Sequence, residues 1–164
     1  MIVVSDTTPL ISLMKIGQLK LIYQLFGEIQ IPEAVFKELV SNKKFSEESR
    51  QIQESSFIKK VKVTDVKSVD LLRRSTALDA GESEAIILSD SVKADVLLMD
   101  EVKGHKIAQQ MGIPLMGTIG MLIVAYNARL LSKEEIQACI NILKNTGRHI
   151  SDKLYSQLMH KLGM

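Results

Sequence analysis

Short apolar runs alternate along this chain with longer stretches of helical periodicity. Ile2-Val3-Val4 is a β-branched run that predicts a buried strand. Asp6-Thr7-Thr8-Pro9 follows, capping residues ahead of a proline, which is a helix start signal, and Leu10 to Ile16 supply the apolar helix. A second helix is predicted over Leu19 to Phe26, stopped by Gly27, and Glu28 to Ile31 reads as a second short strand. Pro32 then opens a helix whose apolar stripe is Val35, Phe36, Leu39 and Val40. Ser41 to Ser56 is the most polar stretch, an exposed helix or a loop, and is too short to divide two domains. Phe57 to Val63 sets Ile58, Val61 and Val63 among lysines, the pattern of a partly exposed strand near a sheet edge.

The second half repeats the alternation. Val66 to Arg74 reads as helical, and Asp79-Ala80-Gly81-Glu82 starts a helix that runs to about Val92. Val96-Leu97-Leu98-Met99 is the clearest buried strand. Asp100 ends it, and a helix follows with Ile107, Ala108 and Met111 inward. Gly112-Ile113-Pro114 turns the chain into a short extended piece at Leu115-Met116. Helices over Thr118 to Leu130, Lys133 to Lys144 and Ser151 to Leu162 close the sequence. Short strands alternating with helices predict an α/β fold, a three-layer α/β/α sandwich around a mainly parallel sheet. The expected organisation is one domain over residues 1–164, with 118–164 forming C-terminal helices.

Composition narrows the picture. An apolar content of 46% argues against disorder, and with 4% aromatics and no Trp the core must be Ile, Leu, Val, Met and Ala. The single Cys139 excludes an internal disulfide framework and a cysteine-based zinc site, and reads as a buried small hydrophobe. No signal-peptide pattern opens the chain, and apolar runs such as Met121 to Ala125 are too short to span a bilayer. The expectation is a cytoplasmic protein with no membrane partner. A net charge of +2, from 21 basic and 19 acidic residues, does not by itself indicate a nucleic-acid binder. It permits acids gathered in a pit with bases on its rim.

Sites in open parallel sheets form beyond the carboxyl ends of the strands. Asp6 and Asp100 each follow a predicted strand there. Glu82 lies in the first turn of its helix, and Glu38 lies on the flank of the Pro32 helix, beside Val35. Mg²⁺ and Mn²⁺ prefer carboxylate and water oxygens, and close carboxylates repel one another unless a cation joins them. A cation held there suits phosphodiester hydrolysis. Each acid also has a plainer reading. Asp6 and Asp100 can cap the helices that follow them, Asp79 with Glu82 has capping-box spacing, and Glu38 can be a solvated helix acid.

The order of these acids resembles the PIN-domain pattern: an Asp after the first strand, a Glu on an early helix, an acid opening a central helix, and an Asp closing the next strand. Asp6, Glu38, Glu82 and Asp100 occupy those places over roughly the first two thirds of the chain. More specific phrases resemble an uncharacterised PIN-like branch of predicted nucleic-acid-binding proteins related to toxin ribonucleases. They are Ser5-Asp6-Thr7-Thr8-Pro9-Leu10-Ile11, Ile31-Pro32-Glu33-Ala34-Val35, Leu78-Asp79-Ala80-Gly81-Glu82-Ser83-Glu84-Ala85, and Gly117-Thr118-Ile119-Gly120. The resemblance implies Mg²⁺ or Mn²⁺ dependence and cleavage of single-stranded RNA, with Asp6, Glu38, Glu82 and Asp100 as catalytic metal ligands. Many relatives are toxins held by a small antitoxin, and many dimerise, so an antitoxin protein and a homodimer are the implied partners besides RNA.

Two departures stand out. The third acid is Glu82 rather than Asp, so Asp79 or Glu84 can share its role, and Asp100 is followed by Glu101-Val102-Lys103 rather than by a second Asp and an aromatic. They keep open a second reading, a catalytically inactive RNA- or protein-binding module. Thr7 is an accessory candidate that could hold a water or phosphate, or cap a helix. Lys103 and Lys106 could reach a phosphate, or simply be solvated. His105, His149 and His160 lack metal-motif spacing and take no role. Gly117, Thr118 and Gly120 could bring a backbone close to the site or to a neighbouring helix, and read first as packing residues. The helix from Thr118 is apolar on several faces and belongs to the core or to a dimer interface. No Walker loop, dinucleotide fingerprint or Gly-x-Ser-x-Gly elbow is present.

Overall fold

A computed structural model describes residues 1–41, 44, 46–147 and 150–163. His149 and part of the polar stretch after Ser41 lie outside the described residues. The first half runs β1 (Val3–Ser5), α1 (Thr7–Lys15), α2 (Lys20–Phe26), β2 (Ile29–Pro32), α3 (Glu33–Ser41), α4 (Ser46–Glu54), β3 (Ile58–Val61) and α5 (Val66–Ser75). The second half runs α6 (Ala80–Val92), β4 (Val96–Leu98), α7 (Val102–Gln110), β5 (Leu115–Met116), α8 (Thr118–Asn127), α9 (Lys133–Asn145) and α10 (Asp152–Lys161).

The five strands form one parallel sheet in the order β3-β2-β1-β4-β5. The expected α/β fold is therefore present, and the lysine-flanked β3 is an edge strand. Period-two alternation divides the core between the two faces. Val3, Val96 and Leu98 join Leu10 and Leu13 of α1, Met121 and Leu122 of α8, and Ile136 and Ile140 of α9. Val4, Leu97 and Met99 join Ile86 and Leu88 of α6 and Ala108 of α7. These are the three layers, built on Ile, Leu, Val, Met and Ala.

Local chemistry sets the helix ends. Pro9 sits in the first turn of α1, and Gly27, at φ +79°, ends α2 in a conformation other residues resist. Both α6 and α9 open with capping boxes, Asp79 with Glu82 and Ser132 with Glu135. The polar stretch contains the helix α4, anchored by buried Ile52. Pro32 closes β2 rather than opening α3, since proline can end a strand without donating to the ladder. The helix expected to reach Leu130 stops at Asn127, two residues before Arg129 takes up a positive φ. Among the described residues no helix is long and apolar enough to cross a membrane.

Candidate metal and nuclease site

Sheet order places β1 beside β4, in the register Ser5 to Leu98, and the Asp6 backbone N–H donates to the Leu98 carbonyl at 2.9 Å. Asp6 and the Met99-Asp100 end of β4 therefore share one carboxyl-end rim. Asp6 is the N-cap of α1 by position, but its side chain makes no capping bond. It is only 3% exposed. Burial pushes its pKa up to about 7. The backbone hydrogen bond with Thr7 opposes that rise, and the carboxylates of Glu82, Asp79 and Glu38 add to it.

Those neighbours reach the rim from two helices. The Thr7 hydroxyl donates to Glu38 Oε2 at 2.8 Å, which ties the exposed flank of α3 to the start of α1. Gly81 makes room for this contact, because a Cβ there would stand 3.1 Å from Glu38 Oε2 and 3.6 Å from Asp79 Oδ1. Glu82 donates its first-turn amide to Asp79 Oδ1 at 2.8 Å and accepts from the Asp79 amide at 2.9 Å. Its carboxyl is raised by partial burial and by Asp79, Glu101 and Glu38, against the Asp79 backbone bond that lowers it. Glu84 turns elsewhere, accepting weakly from the Ala34 amide at the start of α3. Asp6, Thr7, Glu38, Asp79 and Glu82 thus form one neighbourhood.

Asp100 is held differently. It does not cap α7, whose N-cap is Glu101, accepting from the Gly104 amide at 2.5 Å. Its Oδ1 instead accepts from the Thr118 amide at 2.8 Å and its Oδ2 from the Thr118 hydroxyl at 2.6 Å. A carboxylate at the end of β4 therefore caps α8. Gly117 permits it, since a Cβ there would meet Asp100 Oδ1 at 2.7 Å. Of the two readings open to Gly117 and Thr118, packing or a close approach to the site, the structure has the second, since both cradle this acid. Glu101 is the site-edge residue that the sequence did not single out, whereas Thr118 takes the alternative of a close approach to the site. The Gly-Thr phrase at a helix start was the one visible signal.

A cleft of about 470 Å³ opens beside Asp100. Thr8, Asp100, Glu101 and Thr118 line its rim end, and Leu143, Ile150 and Leu154 of the C-terminal segment line its far wall. Lys103 is exposed on α7. Among the described residues no ion pair involves Asp6, Glu38, Asp79 or Glu82. Nor do three acidic, histidine or cysteine side chains among them stand close enough to hold a metal as they are placed. The donor chemistry nevertheless suits a hard cation. The rim offers only carboxylate and hydroxyl oxygens, and Asp6 is buried among like charges that a cation would relieve.

No curated protein matches the chain. A family model described as a PIN domain matches residues 2–164. That span covers the acid rim, the parallel sheet and the C-terminal helices, so the chain belongs to the PIN-domain family, whose members are generally nucleases.

Proposed function

We infer that the protein is a cytoplasmic, Mg²⁺- or Mn²⁺-dependent endoribonuclease that hydrolyses phosphodiester bonds in single-stranded RNA. The observation that carries this reading is buried Asp6, at the carboxyl end of the central strand, with Glu38, Asp79 and Glu82 beside it. A buried acid among acids is an unfavourable arrangement for stability alone, and active sites tolerate it because the chemistry needs it.

Asp6, Glu38, Glu82 and Asp100 would hold the cation, which supplies positive charge against the charge developing on the phosphodiester. Without a cation the Asp6 carboxyl has a pKa pushed up to about 7, so a cation binding there would favour its ionised form and release a proton near neutral pH. The Thr7 hydroxyl fixes the orientation of Glu38. Thr118 fixes that of Asp100. The cleft between Thr8 and Leu154 gives the strand a place to lie. In the finer form of this reading the protein is a toxin held by a small antitoxin and works as a homodimer. Val124 and Ile142 leave apolar surface on α8 and α9 for a second chain.

The test is calorimetric titration of Mn²⁺ and Mg²⁺ into wild type and Asp6→Asn, alongside cleavage of single-stranded RNA. Metal-dependent cleavage in the wild type, lost in Asp6→Asn, supports the assignment. Cleavage that persists in purified Asp6→Asn sinks it. A second reading, the inactive RNA- or protein-binding module, draws on the commitment of Asp100 to α8 and of Glu82 to its capping box. Wild type that binds no cation and cleaves no RNA would favour that module.

A further inference from the structure

Residues 57–76 carry charge that the acid rim does not use. Lys59, Lys60, Lys62, Lys67, Arg73 and Arg74 stand there against Asp65 and Asp70. The whole chain balances at +2, so this short segment supplies all of its positive excess. All six cations are exposed. Their support is an edge strand, β3, and a helix, α5, that has no buried residue. Among the six, Arg74 makes an exposed ion pair with Asp70 one turn before it at 3.0 Å, and Lys60 lies over the Phe36 ring at 4.7 Å on the helix that carries Glu38. Val66 and Leu71 are 67% and 58% exposed among these cations. The segment runs directly into Leu78 and the Asp79–Glu82 capping box.

Lysines on an edge strand discourage pairing with another sheet, which accounts for Lys59 and Lys60 and for Lys62 just past the strand end. It accounts neither for the cations of α5 nor for the bare apolar side chains between them. Single-stranded RNA matches both, offering phosphates to the cations, and unstacked bases that can lie on the Arg73 guanidinium and beside the apolar side chains. We propose that β3 and α5 form a track that binds the backbone of single-stranded RNA and leads it toward the Glu82 side of the acid rim. The destination rests on the nuclease reading, whereas the binding itself needs neither metal nor cleavage.

The test is fluorescence anisotropy of a labelled, mixed-sequence single-stranded RNA in EDTA over a KCl series. One variant carries Lys59→Glu, Lys60→Glu and Lys62→Glu, and a second carries Lys67→Glu and Arg73→Glu. A charge-matched control carries Lys20→Glu, Lys93→Glu and Lys161→Glu. The edge variant should bind at least roughly tenfold more weakly, with a salt slope shallower by about 2, since each phosphate contact on a single strand contributes about 0.7. The α5 variant should lose affinity in the same direction, and the control should bind as wild type does. Track variants that bind like the control overturn the proposal, as does wild type that binds no RNA. So does equal binding of polyglutamate with the same variants affected, which assigns the surface to an acidic protein. Mn²⁺ binding at Asp6 is measured separately, so failure of the track is distinguishable from failure of the nuclease reading.

Discussion

The two ends of the acid rim obey opposite rules. At one end Asp6 is buried beside Glu38, Asp79 and Glu82, with its carboxyl pushed toward neutrality. At the other, Asp100 spends both oxygens on Thr118 and stabilises the start of α8. One acid strains the fold and the other supports it, although both follow neighbouring parallel strands. Position at a strand end therefore says where a carboxylate sits, and the groups it faces decide what it does.

Activity separates the two ends of the rim most directly. Asp6→Asn should lower RNA cleavage by about 100-fold or more, since even an outer-shell partner of a metal typically contributes about 10–100-fold, while circular dichroism stays that of the wild type. Cleavage rates on single-stranded RNA check this.

Stability against pH comes next. The folded pKa of Asp6 is raised from 3.8 to about 7, so the folded chain binds a proton that the unfolded chain releases. Stability from this group is complete below pH 4 and is lost as pH rises through 7. The loss by pH 8 is about 4 kcal/mol for a shift of this size. Urea melts of metal-free protein at pH 5.5 and 8, approximate settings on either side of that folded pKa, should show the fall. Asp6→Asn should flatten it. A wild-type profile with no such fall in that window would remove the strain from the Asp6 end.

The opposite sign is expected at Asp100. Asp100→Ala should destabilise the fold by about 1–2 kcal/mol, the usual cost of a lost helix cap, at every pH where Asp6→Asn stabilises it. Gly117→Ala should cost about 1 kcal/mol or more by pushing a methyl into the Asp100 carboxylate. Thermal melts of the two variants decide this, and an unchanged melting temperature in both would mean that the α8 contact is idle. The smallest effect is expected at Thr7→Val, which frees Glu38 from one hydrogen bond at about 1 kcal/mol. Its fold should persist while Mn²⁺ affinity shifts.

Much of this molecule is written locally. Val96 to Met99 announces a buried strand by composition, and Asp79 with Glu82 announces a capping box by spacing, because both depend on residues close in sequence. The lysines around Ile58 and Val61 announce an edge strand in the same way. The Asp100 contact could not be read, because its partner lies 18 residues on and belongs to a helix whose start carries no acid of its own. Glu101 escaped for another reason: Glu is not among the preferred helix caps, so nothing marked it as one. The neighbourhood of Asp6, Glu38 and Glu82 was legible as an acid rim, whereas the placement of Glu38 against Thr7 depends on how α1 and α3 pack.

Strand order also dictates when the rim can exist. β1 is central, and its partner β4 is contributed by chain more than 90 residues downstream, as the Ile2 to Asp95 contact at a separation of 93 shows. Such a pairing closes a long loop and is slow to form. During synthesis, Asp6 and Glu38 are made well before β4, Glu82 shortly before it, and Asp100 has no Thr118 to hold it until α8 has been made. The acids therefore stay unassembled until β4 and the start of α8 have both been made, and the rim comes into being only then.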